Sequence, residues 1–224
     1  MKSYTLLLVS FFTISVFAQP AIQKEVGDFH TIKVFDLIEV NLIQSDENKV
    51  VIKGERGEYL KVVNDNGVLK LRMELEQRFN GNETFIEVYF KSIDVIDANE
   101  GAYIVSNETI EQNTIELRAQ EGGKVKVGLK TNHTTIRAVT GGIVEAAGTS
   151  TSQEITLTTG GIYEGRELQT EDSEIGVTAA GEAEIYVSNK AKVRVTAGGD
   201  VTIYGNPQKV DKKSFAGGRI QVVN

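Results

Sequence analysis

The fold is decided by the stretch TIRAVTGGIVEA, residues 135–146, in which apolar and polar side chains alternate on both sides of a glycine pair. Ile136 and Ala138 precede the pair, and Val144 and Ala146 follow it at the same two-residue spacing. Alternation of this kind is typical of β-strands that bury one face. The stretch therefore predicts two short strands joined by a glycine turn.

The same pattern recurs down the second half of the chain. The intervals between the second residues of successive turns are 22, 19, 19, 20, 18 and 19 residues. A unit this short cannot bury its apolar face alone, so we predict an all-β fold, a single-stranded parallel β-helix of about 19–20 residues per coil. Each corner should need glycine, because the bend requires a left-handed φ and close backbone approach. The predicted corner glycines are Gly101, Gly123, Gly142, Gly161, Gly181, Gly199 and Gly218.

Other regular folds fit this repeat less well. A leucine-rich repeat has a similar period but needs a ladder of Leu and Asn that these units lack. A propeller blade needs about 40 residues. A β-sandwich would not keep its apolar positions at constant offsets from a glycine pair.

The N-terminus reads as an export signal. Lys2 precedes an apolar run, Tyr4–Phe17, and small residues before Gln19 suggest cleavage after Ala18. We therefore expect a signal peptide over residues 1–18, with an uncleaved anchor as the alternative. Because no later stretch is apolar enough for a transmembrane helix, the mature protein should be secreted, periplasmic or at the cell surface.

The mature chain is predicted to form one domain. Residues 19–28 read as a linker, and residues 29–224 as a single β-helix domain. Within it, residues 29–98 are β-rich but irregular, and residues 99–224 hold the regular coils. The irregular part should start or cap the stack, because an open β-helix end is an exposed edge.

Composition excludes several classes of function. The chain has no Cys and only two His, which rules out disulfides, Cys-ligated zinc and thiol catalysis. Its formal net charge of −7 argues against nucleic-acid binding, which needs a basic surface. The glycine pairs recur in every coil, so they read as structural and not as a phosphate-binding loop. No cofactor is expected.

The order of motifs resembles a known family. The chain opens with Gly27-Asp28-Phe29, then Ile38–Gln44, Val50–Ile52 and Asn66–Leu71, and the glycine-pair coils follow from 101 to 205. Over residues 26–205 this resembles the secreted bacterial family described as putative auto-transporter adhesin, head GIN domain. The resemblance implies a right-handed, pectate-lyase-like β-helix and a source among Bacteroidetes-type genomes. It implies no catalytic residues.

Two sets of outward positions are candidates for binding. Glu145, Glu164 and Glu184 share one coil position, and carboxylates about 4.8 Å apart repel by about 1 kcal/mol in water. A divalent cation could relieve that repulsion, so the three are weak metal candidates; the alternative is a solvated acidic face. Ile143 and Ile162 should face outward as an interface, unless a phase change tucks them inward.

Aromatic and basic residues complete the candidates. Tyr163, Tyr186 and Tyr204 could form a platform for sugars, or simply pack at corners. Near the C-terminus, Lys209, Lys212 and Lys213 either guard an exposed edge or mark an end that pairs with another copy.

These observations favour a non-catalytic, secreted or cell-envelope binding protein of adhesin-like function, whose partner is an envelope glycan or protein. One alternative is a polysaccharide lyase or hydrolase, since β-helices also host such enzymes on their outer faces. The other is a structural envelope protein that self-associates as a homo-oligomer.

Overall fold

The computed structural model describes residues 21–54 and 56–223. The predicted signal peptide and the first residues of the predicted linker therefore lie outside the described residues. The described chain is an all-β solenoid of about seven turns with parallel stacked coils, which confirms the predicted fold. Within the same residues, no helix is long and apolar enough to cross a membrane.

The strands divide at residue 98 into an irregular and a regular set. The irregular set is β1 (Ile22–Glu25), β2 (Thr31–Val34), β3 (Glu39–Gln44), β4 (Lys49–Gly54), β5 (Leu60–Asp65), β6 (Val68–Met73), β7 (Thr84–Phe90) and β8 (Val95–Ala98). The regular set is β9 (Tyr103–Glu111), β10 (Thr114–Gln120), β11 (Lys124–Val139), β12 (Ile143–Thr158), β13 (Ile162–Thr178), β14 (Glu182–Thr196), β15 (Asp200–Tyr204), β16 (Lys209–Phe215) and β17 (Arg219–Val222). Short 3-10 turns occur at Gly57–Tyr59, Leu75–Gln77 and Gly81–Glu83.

Each central coil is one long bent strand rather than the two short strands that the pattern predicts. β11 to β14 run for 15 to 17 residues each and stack in parallel register. Ile136 lies opposite Ile155, which lies opposite Ile175, so equal side chains form columns inside the coil. The strand stays hydrogen-bonded through the bend opposite the glycine turn, because its neighbours bend at the same place.

In the glycine turn, the left-handed residues are not the ones that the sequence predicts. In the turn of β11 to β12, Thr140 and Gly141 have φ of 49° and 71°, whereas Gly142 does not have a positive φ. Gly142 is required for a different reason: a methyl group there would overlap the carbonyl oxygen of Ala119 in the coil below. The predicted left-handed φ is therefore wrong for Gly142, and the close backbone approach is present.

The other predicted corners follow the same rule, with two exceptions. Gly123, Gly161, Gly181 and Gly218 likewise lack a positive φ and have no room for a side chain. Gly199 has both a left-handed φ of 114° and close contacts. Gly101 is misaligned by one residue, because the register places Tyr103 opposite Lys124. It is the left-handed member of its turn, with a φ of 72°, and Ala102, which is fully buried, takes the position equivalent to Gly123.

The interior of the regular coils is mainly apolar and includes a polar column at the far bend. Tyr163 points inward, is 1% exposed, and donates its hydroxyl to Gln153 Oε1 at 2.8 Å. The amide of Gln153 in turn donates to Ser173 Oγ at 2.8 Å. Burial raises the pKa of the Tyr163 hydroxyl, so the side chain stays a neutral donor. Gly165 leaves the space that the ring occupies.

The irregular part builds the N-terminal coils out of chain order. β2 pairs in parallel with β6 on one side and β8 on the other, and β3 pairs with β7 and β9. The coil β2–β3 therefore lies between two coils that come later in the chain. Outside it, β4 and β5 pair antiparallel with β7 and β6, and β1 adds to β4. These antiparallel strands close the N-terminal end of the stack.

Two carboxyl groups meet where the irregular and regular parts join. Asp36 is fully buried, and its Oδ2 accepts a hydrogen bond from the backbone N–H of Met73 at 3.0 Å. Arg78 Nη2 lies 3.3 Å from Glu100 Oε1, and its Nε lies 3.6 Å from Asp36 Oδ1. Burial and a hydrogen bond with Asp36 raise the pKa of Glu100, against the opposing effect of Arg78. Glu100 therefore keeps its proton to a higher pH than a solvent-exposed glutamate does.

Candidate functional site

A groove runs along the flank of the solenoid that follows the glycine turns. We call it the flank groove; it has a volume of about 760 Å³ and extends from Glu145 to Arg219. Alternation on β12 to β17 sends every second side chain outward, and parallel register aligns these side chains into columns along the solenoid axis. The first column is Ile143, Ile162, Glu182, Asp200 and Arg219, and the second is Glu145, Glu164, Glu184, Thr202 and Gln221.

One wall of the groove is a bulge in β13. Gly165 lies opposite Ile185, and the next paired residue, Gln169, lies opposite Tyr186. The residues 166–168 therefore have no counterpart in β14. Leu168 turns into the core, while Arg166 and Glu167 are exposed and line the groove. Because β14 has one additional residue of its own between Val187 and Lys190, the bulge lengthens the interval from Gly161 to Gly181 to 20 residues, against 18 in the next coil.

Two tyrosines extend the groove beyond the bulge. Tyr186 and Tyr204 lie opposite each other on β14 and β15 and line a second concavity of about 380 Å³, which shares Arg166 and Glu167 with the flank groove. The Arg166 guanidinium lies 4.4 Å from the centre of the Tyr204 ring, a cation–π distance. The Tyr204 hydroxyl donates to Glu184 Oε1 at 3.3 Å. Of the three tyrosines predicted as a platform, Tyr163 is buried in the core instead.

Charge in the flank groove is only partly balanced. Burial acts to raise the pKa of Glu145, but hydrogen bonds from Lys126 and Lys124 outweigh it and lower that pKa below its usual value. Asp200 binds Arg219 through both oxygens, at 3.0 and 2.9 Å. Within residues 56–223, by contrast, Glu164, Glu167 and Glu182 form no ion pair. The groove therefore carries excess negative charge.

The three predicted metal candidates occupy paired positions on neighbouring strands, but their carboxylate groups do not converge. Glu145 lies opposite Glu164, and Glu164 lies opposite Glu184, as the repeat implies. Yet no three acidic or histidine side chains of the described chain are close enough to hold a metal ion. Glu145 is turned to two lysines and Glu184 to the Tyr204 hydroxyl, so the three carboxylates do not converge.

Ile143 and Ile162 lie opposite each other and face outward, where each is half-buried. The alternative in which they tuck into the core is wrong, because the inward positions belong to Val144 and Tyr163. Ile162 lies in the flank groove, where it adds an apolar surface among the carboxylates. Their part in an interface stays a prediction.

The parallel coils and the groove on their outer flank define the class of this molecule, a β-solenoid that presents a concave surface to solvent. Comparison with known sequences gives the family. The chain belongs to the family described as putative auto-transporter adhesin, head GIN domain, whose model matches residues 28–207. This confirms the family to which the motifs pointed. Among curated proteins, none matches the chain.

Solved structures show the same fold at low sequence identity. A putative adhesin from Bacteroides fragilis superposes with a TM-score of 0.83 at 15% identity, covering 91% of this chain and 96% of the other. A putative adhesin from Parabacteroides merdae gives 0.67 at 16% identity, with coverages of 92% and 96%. A protein from Parabacteroides distasonis named as a putative lipid binding protein gives 0.66 at 19% identity, with the same coverages. The solenoid is therefore shared by proteins whose sequences differ widely.

Proposed function

We propose that this protein is a non-catalytic, adhesin-like binding protein of the bacterial cell envelope, and that the flank groove is its binding surface. The observation that carries the proposal is the groove itself, which is open to solvent along several coils and combines apolar, aromatic and charged side chains. Ligand sites commonly combine an apolar lining with a few placed polar groups. The adhesin description of the family agrees with a binding function.

The arrangement of charges favours binding over catalysis. A lyase or hydrolase on this flank would need an acid and a base positioned around one substrate bond. The two arginines of the groove are instead engaged, Arg219 by Asp200 and Arg166 by the Tyr204 ring. Glu184 likewise accepts the Tyr204 hydroxyl. These groups are suited to hold a ligand rather than to transfer a proton to it.

The proposed location is outside the cytoplasm. The charged start, apolar run and small-residue site of residues 1–18 support export and cleavage after Ala18. The matured protein would then meet its partner, an envelope glycan or protein, in the periplasm or at the cell surface.

The function is tested by sedimentation with isolated envelopes. Labelled mature protein, residues 19–224, is mixed with envelopes of the bacterium that produces it, and the bound fraction is measured after pelleting. We expect saturable binding that Tyr204→Ala weakens. The matched control is Tyr89→Ala, because Tyr89 also lies under a cation, Lys49 at 4.8 Å, and donates to a carboxylate, Glu87, but lies on β7, several coils away from the groove.

Two results would contradict the proposed function. Mature protein that does not bind envelopes would remove the adhesin-like role. Equal losses of envelope binding in Tyr204→Ala and Tyr89→Ala would show that the binding surface lies elsewhere. Release of unsaturated or newly reducing sugar ends from the envelopes would instead support the enzyme alternative.

A further inference from the structure

We propose that the flank groove binds a neutral pyranose oligosaccharide, laid along the solenoid axis across β13, β14 and β15. This inference rests on the proposed function, since it names the ligand class for the same groove. Three features carry it: the tyrosine pair of the adjoining concavity, the hydrogen-bonding groups of the groove beside that pair, and the sign of the uncompensated charge in the groove.

The tyrosine pair provides the surface on which sugar rings pack. Tyr186 and Tyr204 are outward-facing, half-buried and in register on neighbouring strands. A pyranose ring has an apolar face of C–H groups, and a fixed aromatic ring is the usual apolar partner for such a face. Arg166 lies over the Tyr204 ring, and the Tyr186 ring occupies the space that a side chain at Gly205 would take, so neighbouring groups restrict both rings. A surface that is already ordered loses little side-chain entropy when a ligand binds.

The groups beside the tyrosines match the hydroxyl groups of a sugar. Glu164, Glu182 and Glu184 lie in the groove and offer carboxylate oxygens, which accept hydrogen bonds from adjacent hydroxyl groups in pairs. Arg166 offers a fork of N–H donors for ring and hydroxyl oxygens. Ile162 supplies a further apolar contact. Acceptors, donors and apolar surface thus line the same groove, and a sugar ring presents the complementary groups.

The spacing of the coils suits a repeating ligand. Adjacent strands lie about 4.8 Å apart, which is comparable to the length of one pyranose unit in an extended chain. Equivalent outward positions on β13, β14 and β15 would therefore meet successive sugar units. A groove of about 760 Å³ has room for several units.

The charge of the groove selects a neutral ligand. Glu164, Glu167 and Glu182, which form no ion pair within residues 56–223, would face any carboxylate or phosphate on the ligand. Like charges about 4 Å apart repel by about 1 kcal/mol in water. Each such contact therefore lowers the affinity for an anionic sugar roughly fivefold. Uronic acids and phosphorylated glycans should therefore bind less well than neutral ones of equal length.

The experiment uses defined oligosaccharides in place of envelopes. Mature protein is applied to an array of neutral oligosaccharides and their uronic-acid counterparts, and the strongest neutral tetrasaccharide is then titrated by calorimetry. We expect saturable binding of neutral sugars, with uronic-acid counterparts at least about fivefold weaker. Tyr204→Ala should weaken binding about tenfold, whereas Tyr89→Ala should leave it within about twofold.

Circular dichroism and thermal unfolding of both variants verify that they are folded, and Glu184→Gln gives a second, isosteric change in the groove. The inference is overturned if no neutral oligosaccharide binds, if acidic ones bind more tightly, or if Tyr204→Ala and Tyr89→Ala behave alike. Envelope binding that depends on Tyr204 but is not competed by any neutral oligosaccharide would leave the proposed function standing and refute the ligand class. Binding of neutral saccharides without binding of envelopes would support the ligand class and refute the proposed function.

Discussion

At the scale of single residues, the glycine turn has two requirements, a left-handed backbone and a close approach to the coil below, and a different residue meets each one. Gly141 adopts the left-handed conformation, and a methyl group there would meet nothing within 4 Å, whereas Gly142 is not left-handed but touches the coil below. Thr140 shares the left-handed conformation at a φ of 49°. The second glycine is therefore the one that allows coils to stack at strand spacing.

This division predicts unequal effects of the same substitution. Gly142→Ala should destabilise the protein by about 3 kcal/mol, because its methyl group overlaps the Ala119 carbonyl and the coil must shift. Gly141→Ala should cost about 1–2 kcal/mol, from the left-handed φ alone. Urea unfolding followed by circular dichroism gives both values. Equal losses, or a larger loss at Gly141, would contradict the assignment.

The carboxyl pair at the junction predicts a pH dependence. Since burial and Asp36 raise the pKa of Glu100, the folded chain holds this proton to higher pH than the unfolded chain does. Folding stability should therefore fall as the pH rises from about 4.5 through the raised pKa. Glu100→Gln, which has no proton to lose, should be more stable than the wild type at pH 7 and no more stable near pH 4.

The control for this prediction is Glu121→Gln. Glu121 occupies the same left-handed turn position in the next coil, with a φ of 53°, but is exposed. Its substitution should change the pH profile of the unfolding free energy much less than Glu100→Gln does, because the charge of Glu121 makes the smallest contribution to the raised pKa of Glu100. Parallel profiles for the wild type and Glu100→Gln between pH 4 and 8 would show that the pKa of Glu100 is not raised in the folded chain.

At the scale of strands, the last coil contains a charge where the others are apolar. Lys212 lies opposite Val193 and so continues the inward column of Ile155 and Ile175. Lys213 lies opposite Arg194, in an outward position. A charge at an inward edge position opposes the addition of a further strand, because that strand would bury it.

We therefore predict that Lys212→Val promotes end-to-end self-association. The substitution completes the apolar column on the exposed edge of β16, whereas Lys213→Val removes the same charge from the outer face. Light scattering at tens of micromolar should show larger species for Lys212→Val than for Lys213→Val. If both variants associate equally, net charge rather than the inward position controls the edge.

The regular coils could be predicted from the sequence, but the groove on their flank could not. The glycine period and alternating apolar positions were sufficient to predict the coil, the register of Glu145 with Glu164, and the outward side of Ile143. The groove was not predictable in this way, because it depends on three extra residues after Gly165 and on Lys126 turning to Glu145. Side-chain pairing across coils is set by rotamers and packing, which periodicity does not specify.

The arrangement of strands in the irregular part was harder to predict from the sequence. Its strands were recognisable individually, but their order in the sheet was not, because β2 pairs with β6 and β8 and not with a neighbour in the chain. Alternation specifies which face of a strand is buried and leaves open which strand lies beside it.

At the scale of the whole molecule, stability should add up coil by coil. Each central coil contacts mainly the coil before and the coil after it, as in other repeat proteins. Removal of residues 197–224 takes away β15, β16 and β17 without cutting a central coil.

The shortened chain, residues 19–196, should therefore still fold. We expect a cooperative urea transition whose m-value is lower by roughly one-eighth, in proportion to the surface no longer buried. Circular dichroism should retain the β-sheet signal per residue. Complete loss of the transition would mean that the last coils are needed for the rest to fold, and that the nearest-neighbour description fails.

The interleaved coil β2–β3 has a consequence for how the chain acquires its shape during synthesis. Residues 31–44 leave the ribosome before both of their sheet neighbours, β6–β7 and β8–β9, are made. The solenoid therefore cannot grow by adding coils in the order of translation. Roughly the first hundred residues must emerge and close as one block before later coils can add singly.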